Sequence, residues 1–387
     1  MDVGRDLHMA KGEGETSYSK NSRLQVHTCN LLNQIPGILS TYISFLPPVL
    51  DKAVTEVCEA LLGPTMTVCD LGCSSGENTL IFASNVVEAI VCNRHKFGCN
   101  PAELQFFHND LPSNDFNLIF QSLEKFKEMV TLACKGETPP PLYTVGLPGS
   151  FYTRLFPRQS VHLFHSAYCL HWRSHFLSGL EGEGGAYQNE GNIYIAKNTP
   201  PSTVKLYKGQ FQKDMLMFLK LRYEELVLGG QMVLSFPGRE NEDVYDGDMN
   251  HLWGLLAQSM QSLVEEGCIE KEKLDSFSLP IYGPSLSEVK DVVEQTELYD
   301  IKHIKLFELN WDCCDESEGD DVLDHVQSGV NVANTIRAVF EPMLAIHFGE
   351  SLSLIDAIFK KYAYYVAEHL KTVKTKFAVI VLVLKRR

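Results

Sequence analysis

The sequence predicts an α/β fold: a doubly wound, Rossmann-like parallel sheet wrapped by helices, with a mainly helical cap beside it. Two patterns predict this. Between residues 64 and 240, short β-branched or aromatic runs alternate with helical stretches, the order of a parallel sheet covered on both faces. Beyond 245 the apolar residues recur at a spacing near 3.6, with little strand signal between them.

The elements follow in order. Residues 67–71 (TVCDL) read as a strand, then a Gly/Ser turn and a helix over 78–91. Residues 104–108 (LQFFH), 143–147 (YTVGL) and 161–165 (VHLFH) are further strands, and 231–236 (QMVLSF) follows a helix at 211–228. The cap comprises helices at 251–266, 285–295, 331–348 and 353–370, with the acidic stretch 312–325 as a solvated loop. A last strand, 377–384 (FAVIVLVL), returns to the sheet edge. His162 and His165 face opposite sides of their strand and read as core histidines, not as a metal pair.

Composition narrows the classes. With 387 residues, 44% hydrophobic and 21% charged, the chain can bury a sizeable core. A net charge of -15 repels phosphate backbones and argues against a nucleic-acid partner. None of the 11 cysteines forms a Cys-x-x-Cys pair, and the adjacent Cys313-Cys314 is a poor metal or disulfide signal. Together with an opening Met-Asp-Val-Gly-Arg that lacks an apolar h-region, this predicts a cytoplasmic protein without a secretory signal, structural metal or disulfides. No membrane span is expected. The run 31–50 is broken by Asn33, Gln34, Pro36, Pro47 and Pro48, and 377–384 is far shorter than the ~20 residues a span needs.

The chemistry starts at the first strand end. In Val68-Cys69-Asp70-Leu71-Gly72-Cys73-Ser74-Ser75-Gly76 an acidic residue closes the strand, and Gly72 and Gly76 permit a tight turn into the helix. The Gly-x-x-x-Gly spacing departs from the Gly-x-Gly-x-x-Gly of a dinucleotide site, which counts against an NAD enzyme. It suits a turn that holds a cationic methionine moiety; a tight turn with no ligand is the bland alternative. Asp110, in the turn after LQFFH, stands where acidic groups receive ribose hydroxyls. The stretch 146–152 (GLPGSFY) offers an aromatic face and backbone donors for an adenine ring. Three such strand ends describe a ligand crevice at the C-terminal edge of a parallel sheet.

Further motifs bear on the function: Leu7-His8-Met9, Gly12-Glu13-Gly14-Glu15-Thr16-Ser17-Tyr18 with Asn21-Ser22, Asn109-Asp110-Leu111, Pro148-Gly149-Ser150-Phe151, Arg154-Leu155-Phe156-Pro157, and Glu341-Pro342 before His347-Phe348-Gly349-Glu350. With the glycine turn, they run through nearly the whole chain. In them the sequence resembles the plant SABATH methyltransferases, which methylate salicylate, benzoate, anthranilate, jasmonate, other small acids and some purine alkaloids. The resemblance implies a methyltransferase sheet whose core spans 50–245 and is completed by 372–387. It also implies a helical substrate lobe at 246–371, and a segment 1–49 that closes over the active site.

Residue by residue, it implies that Tyr18, Ser22, Asp70, Asp110, Leu111, Ser150 and Phe151, with the Gly72 turn, contact S-adenosylmethionine. A lysine that some members carry after His-Met is Ala10 here. Gln25 and Trp172 would hold the substrate carboxylate. Tyr168, His171, Pro237, Leu252, Trp253, Tyr282, Ile336, Val339 and Phe377 would line the acyl pocket. Some relatives carry magnesium at positions matching Asn189, Asp275, Phe277 and Ser278; Ser278 replaces an asparagine of that pattern, and the chemistry requires no metal. Members are usually homodimers.

A carboxylate titrating near ~4 is already a nucleophile at neutral pH, so alignment replaces a general base. Gln25 and the Trp172 indole N–H, as neutral donors, would hold one oxygen and aim the other. Read without the resemblance, Trp172 is more commonly packing than a ligand donor, and His171 a shaper of the pocket. The flat rings of Tyr168, Trp253, Tyr282 and Phe377 favour a small aromatic acid (benzoate, salicylate or anthranilate), and His171 in place of methionine leans away from a strict salicylate enzyme. Jasmonate follows, then a purine nitrogen. One departure opens a further alternative: 22 residues separate Gln25 from Pro48. That insertion is either an excursion over the cap or a lesion that leaves an inactive, cofactor-binding relative.

Overall fold

A computed structural model describes residues 3–22, 46–60, 63–94, 102–177, 187–315, 322–349 and 351–387. Seven strands form one sheet: β1 (Thr65–Leu71), β2 (Glu103–Asp110), β3 (Leu142–Pro148), β4 (Val161–Ala167), β5 (Leu226–Pro237), β6 (Tyr299–Asn310) and β7 (Lys376–Arg386). Their order is β3-β2-β1-β4-β5-β7-β6. The first five are parallel, and β7 inserts antiparallel between β5 and β6. Strand order reverses at β1, so the ends of β1 and β4 open a crevice there.

Alternation along each strand sorts side chains into two apolar layers. Val68, Leu163, Val233, Val381 and Val383 face the layer made by helices α3 (Leu46–Glu59), α4 (Asn78–Asn93), α5 (Phe116–Gln121) and α6 (Leu123–Ala133). Their neighbours Cys69, Phe164, Met232, Leu234 and Leu382 face the other layer. That layer contains α7 (Pro201–Glu225) and the cap: α8 (Asp248–Glu265), α9 (Lys271–Asp275), α10 (Leu286–Thr296), α11 (His325–Phe348) and α12 (Leu352–Leu370). Two short helices, α1 (Val3–Asp6) and α2 (Tyr18–Asn21), precede them.

Three expectations need correction. The stretch between 285–295 and 331–348 contains β6, for which no strand was expected. A bulge between Ile301 and His303 breaks its period of two, and Lys302, Lys305 and Glu308 recur every third residue, which imitates a helix face. The helix expected at 211–228 instead begins at Pro201, a residue pre-set for the first turn, and hands over to β5 at Leu226. Finally, 312–325 is not wholly solvated: Asp312 is buried and accepts hydrogen bonds from Ser328 (2.7 Å) and Asn331 (3.1 Å) of α11. No helix among the described residues is long and apolar enough to cross a membrane.

Candidate active site

A cavity of about 370 Å³ lies at the carboxyl ends of the parallel strands, under the N-terminal residues and between α8 and α11. At its sheet end, Gly72 follows β1 with φ of 76°. A Cβ there would also come within 2.9 Å of Cys169 Cβ, so both backbone and space demand glycine. Ser74, two residues on, holds the left-handed region at φ 52°, and its hydroxyl has no partner among the described residues. At Gly76 an added Cβ would stand 3.6 Å from Tyr18 and from Ser22 Oγ, so α2 rests on the turn. The segment before α2 is tied to the cap, because Ala10 N–H donates to Ala338 O (2.8 Å).

Asp110 ends β2. One carboxylate oxygen accepts from Ser74 N–H and the other from Leu111 N–H, both at 2.7 Å. Burial outweighs those donors and pushes its pKa up to about 6. Asn109 ties β2 to the third strand end by donating to Leu147 O and Gly149 O, both at 2.8 Å. The loop that carries Ser150 and Phe151 is fixed from α7: Arg222 donates to Phe151 O and Thr153 O (both 2.9 Å), and Glu225 accepts from Leu155 N–H (2.7 Å) and Phe156 N–H (3.0 Å). Arg222 and Glu225 form a fully buried ion pair at 2.7 Å.

The far end of the cavity is aromatic. Tyr168, at φ 55°, donates its N–H to Ser235 O across β4 and β5. The segment 171–173 is clamped by an antiparallel bridge between Trp172 and Ile281, with Tyr282 N–H donating to His171 O (2.8 Å) and Arg173 N–H to Pro280 O (2.7 Å). Phe340 of α11 packs on both Trp172 (5.1 Å between ring centroids) and Trp253 (4.8 Å). Burial, aided by the Arg173 charge, pulls His171 down to about 3, so the ring is neutral. Its Nδ1 and the Trp253 Nε1 are buried without a hydrogen-bond partner among the described residues. Orphaned polar atoms of this kind carry a desolvation cost that a ligand removes.

One cavity thus joins a glycine turn with an acidic residue on the next strand to an apolar chamber edged by unpaired ring nitrogens. A family model described as SAM dependent carboxyl methyltransferase matches residues 4–387. The chain belongs to the S-adenosylmethionine-dependent carboxyl methyltransferases. It is 51% identical to anthranilate O-methyltransferase 3 of Zea mays, over 100% of this chain and 98% of that protein. It is 49% identical to benzoate O-methyltransferase of Zea mays, over 100% of both. Among solved structures it superposes on loganic acid methyltransferase with SAH at a TM-score of 0.79, with 30% identity and 98% of each chain covered.

As a carboxyl methyltransferase the chain has cofactor and substrate positions to account for. Tyr18, Gly72, Asp110, Leu111, Ser150 and Phe151 line the cavity, as do Tyr168, His171, Trp172, Pro237, Leu252, Trp253, Ile336, Val339 and Phe377. Three expected residues stand behind its wall. Ser22 is buried against Gly76. Asp70 is bonded to His165 Nδ1 at 2.6 Å; burial works to raise its pKa, but the imidazole partner prevails and lowers it. Tyr282 gives its hydroxyl to Glu288 (3.1 Å) and packs on Phe211, so it braces His171 from outside. Gln25 and the inserted stretch 26–45 lie outside the described residues.

The four magnesium positions do not fit a divalent cation. Asp275 accepts from Lys271 Nζ at 2.5 Å and from Gly191 N–H at 2.8 Å. Asn189 uses its oxygen on Thr199 (2.7 Å) and its nitrogen on Tyr194 O (3.0 Å). Phe277 is packed between His347 and Phe348, and Ser278 is buried. A metal would have to displace the Lys271 ammonium from Asp275. Elsewhere, ligand-type atoms of Asp312, Cys313 and Cys314 lie within 4.8 Å of one another, with the Asp312 carboxylate already engaged by α11.

Sequence reasoning missed Tyr152, Arg173 and Phe340 on the wall. Phe340 was within reach, since Ile336, Val339 and Phe340 repeat a helix face at i, i+3 and i+4. Tyr152 stood in the motif that carries Phe151; its hydroxyl donates to Trp172 O at 2.7 Å and steadies the indole. Arg173 follows Trp172 directly and carried no signal of its own.

Proposed function

We propose that the chain methylates the carboxylate of a small aromatic acid (anthranilate, benzoate or salicylate) to give the methyl ester. The observation that carries this reading is the single cavity that joins the glycine turn to an aromatic chamber. S-adenosylmethionine, when bound, supplies an electrophilic methyl group. Ser74 and Gly72 would cradle its methionine end, the Asp110 carboxylate would accept from ribose hydroxyls, and Phe151 with Ser150 would flank the adenine. Orphaned Ser74 Oγ supports that assignment.

Trp172 orients the carboxylate with Gln25, and the rings of Trp172, Trp253, Phe340 and Phe377 hold the flat ring of the acid while excluding water. His171, neutral and on the chamber wall, suits an ortho amino or hydroxyl donor. No side chain moves a proton, because the acid arrives ionised. The core, the cap lobe at 246–371 and the closing segment 1–49 would divide the labour as the resemblance implies.

We also infer a cytoplasmic homodimer. Exposed Val326 and Val330, at i and i+4 on α11, with exposed Leu323 just before the helix, give an apolar patch for a second copy.

Calorimetry tests the site. Benzoate titrated onto the chain with S-adenosylhomocysteine bound should give a 1:1 isotherm, and Trp172→Phe should weaken it by roughly ten-fold for one lost hydrogen bond to a charged group. Equal affinity in the variant would remove Trp172 from the carboxylate.

A further inference from the structure

The cavity that takes an anion on this reading belongs to a chain of net charge -15. Among the described residues that line it, Arg173 is the one lysine or arginine. Its guanidinium is buried and mostly occupied by backbone carbonyls: Nε donates to His171 O (3.3 Å), and the terminal nitrogens to Leu170 O and Phe211 O. It also lies over the Phe211 ring at 5.2 Å.

The nearest carboxylate, Asp214, is 3.7 Å away, too far for a tight pair, and its oxygens are committed elsewhere. They accept from Ser174 N–H (2.9 Å), Ser174 Oγ (2.7 Å) and Gln210 (2.7 Å). Asp214 is not part of the cavity wall, whereas Arg173 is. Arg173 therefore borders the cavity and its counter-charge does not, and a guanidinium stays protonated at any working pH.

Two wall residues feel that charge. Burial lowers the His171 pKa and Arg173 lowers it further; burial raises the Tyr152 phenol, and Arg173 pulls it back by more than Asp214 opposes. Both effects favour the more negative form of a group on the wall. A substrate carboxylate in the same space receives the same bias.

We propose that Arg173 is a specificity-determining residue that selects ionised acids over neutral compounds of the same shape. It acts by its field across a dry cavity and not by direct ligation of the carboxylate. Direct ligation by a cation would draw electron density from the attacking oxygen; a charge held by carbonyls one layer back attracts the anion and leaves both oxygens free. The proposal rests on the acid-methylating reading above.

The test compares benzoate with benzamide, its neutral isostere, by calorimetry on the chain with S-adenosylhomocysteine bound. In Arg173→Met the preference for benzoate should fall roughly ten-fold or more, the scale of one charge acting through a partly screened interior. Arg173→Lys should restore most of it. Asp214→Asn, which removes the counter-charge and leaves the cation, should raise the preference, and it serves if Arg173→Met fails to fold.

A structural role alone would weaken both ligands together; an unchanged benzoate-to-benzamide ratio in Arg173→Met, or in Asp214→Asn, overturns the proposal. Wild-type chain that binds no aromatic acid at all overturns the underlying reading instead.

Discussion

On the proposed reading, Asp110 is where a single ionisation governs cofactor affinity. Its ordinary value of 3.8 is pushed up to about 6 by burial, so the empty site holds a mixture of acid and carboxylate near that pH. Hydroxyl donors favour the ionised form, and a ligand that supplies them binds tighter where the group is already ionised. Affinity for S-adenosylhomocysteine should therefore rise between pH 5 and pH 7, and Asp110→Asn should flatten the curve; calorimetry at both pH values checks it, and an identical slope in the variant would assign the effect to another group. Gly72 makes a sharper demand. Gly72→Ala meets both a left-handed φ of 76° and the Cys169 side chain, strain of about 1–3 kcal/mol added to a steric overlap. Cofactor binding should be lost or cut more than ten-fold, with Cys169→Ala relieving only the overlap with the sulfur, since its own Cβ stays at 2.9 Å.

Helix α7 holds the loop of Ser150 and Phe151, proposed to flank the adenine, through Arg222 and Glu225. Removing one partner of this buried pair strands the other, which typically costs about 3–5 kcal/mol. Arg222→Met should lower the melting temperature and weaken the cofactor together; a stable variant with normal cofactor affinity would show that the loop holds itself. The element scale is also where sequence reading succeeded and failed. Strands β1, β2, β4, β5 and β7 were legible because each is an apolar run inside the sheet with a turn at its end; β3, an edge strand like β6, was legible because it keeps an unbroken period of two. β6 was not, because an edge strand is only half buried: its bulge shifts the alternation, and its lysines need water on one side. The start of α7 was hidden for a different reason, since its first turns carry a proline signal and not apolar periodicity. At the site, the strand-end residues Gly72, Asp110 and Ser150 follow from topology alone, whereas Asp70 and Tyr282 ended up behind the wall. Which side of a strand end or bridge a side chain takes depends on partners distant in sequence: His165 for Asp70, Glu288 for Tyr282.

In the whole molecule the fold divides the reaction into two problems. On the proposed reading, the parallel strand ends would present backbone and a carboxylate to the cofactor, and the cap would present rings to the acid; the clamp between segments 171–173 and 280–282 fixes the two against each other. No acid–base pair is needed, so activity depends on how well the two halves are held together. The most direct measurement is transfer of labelled methyl from S-adenosylmethionine to anthranilate, benzoate, salicylate, jasmonate and xanthines by the purified full chain, with products identified by mass. A methyl ester of one or more of the three aromatic acids, with no product from the xanthines, is the expected result. S-adenosylmethionine bound tightly with no ester from any acid would contradict it, and would assign the chain to cofactor binding without turnover.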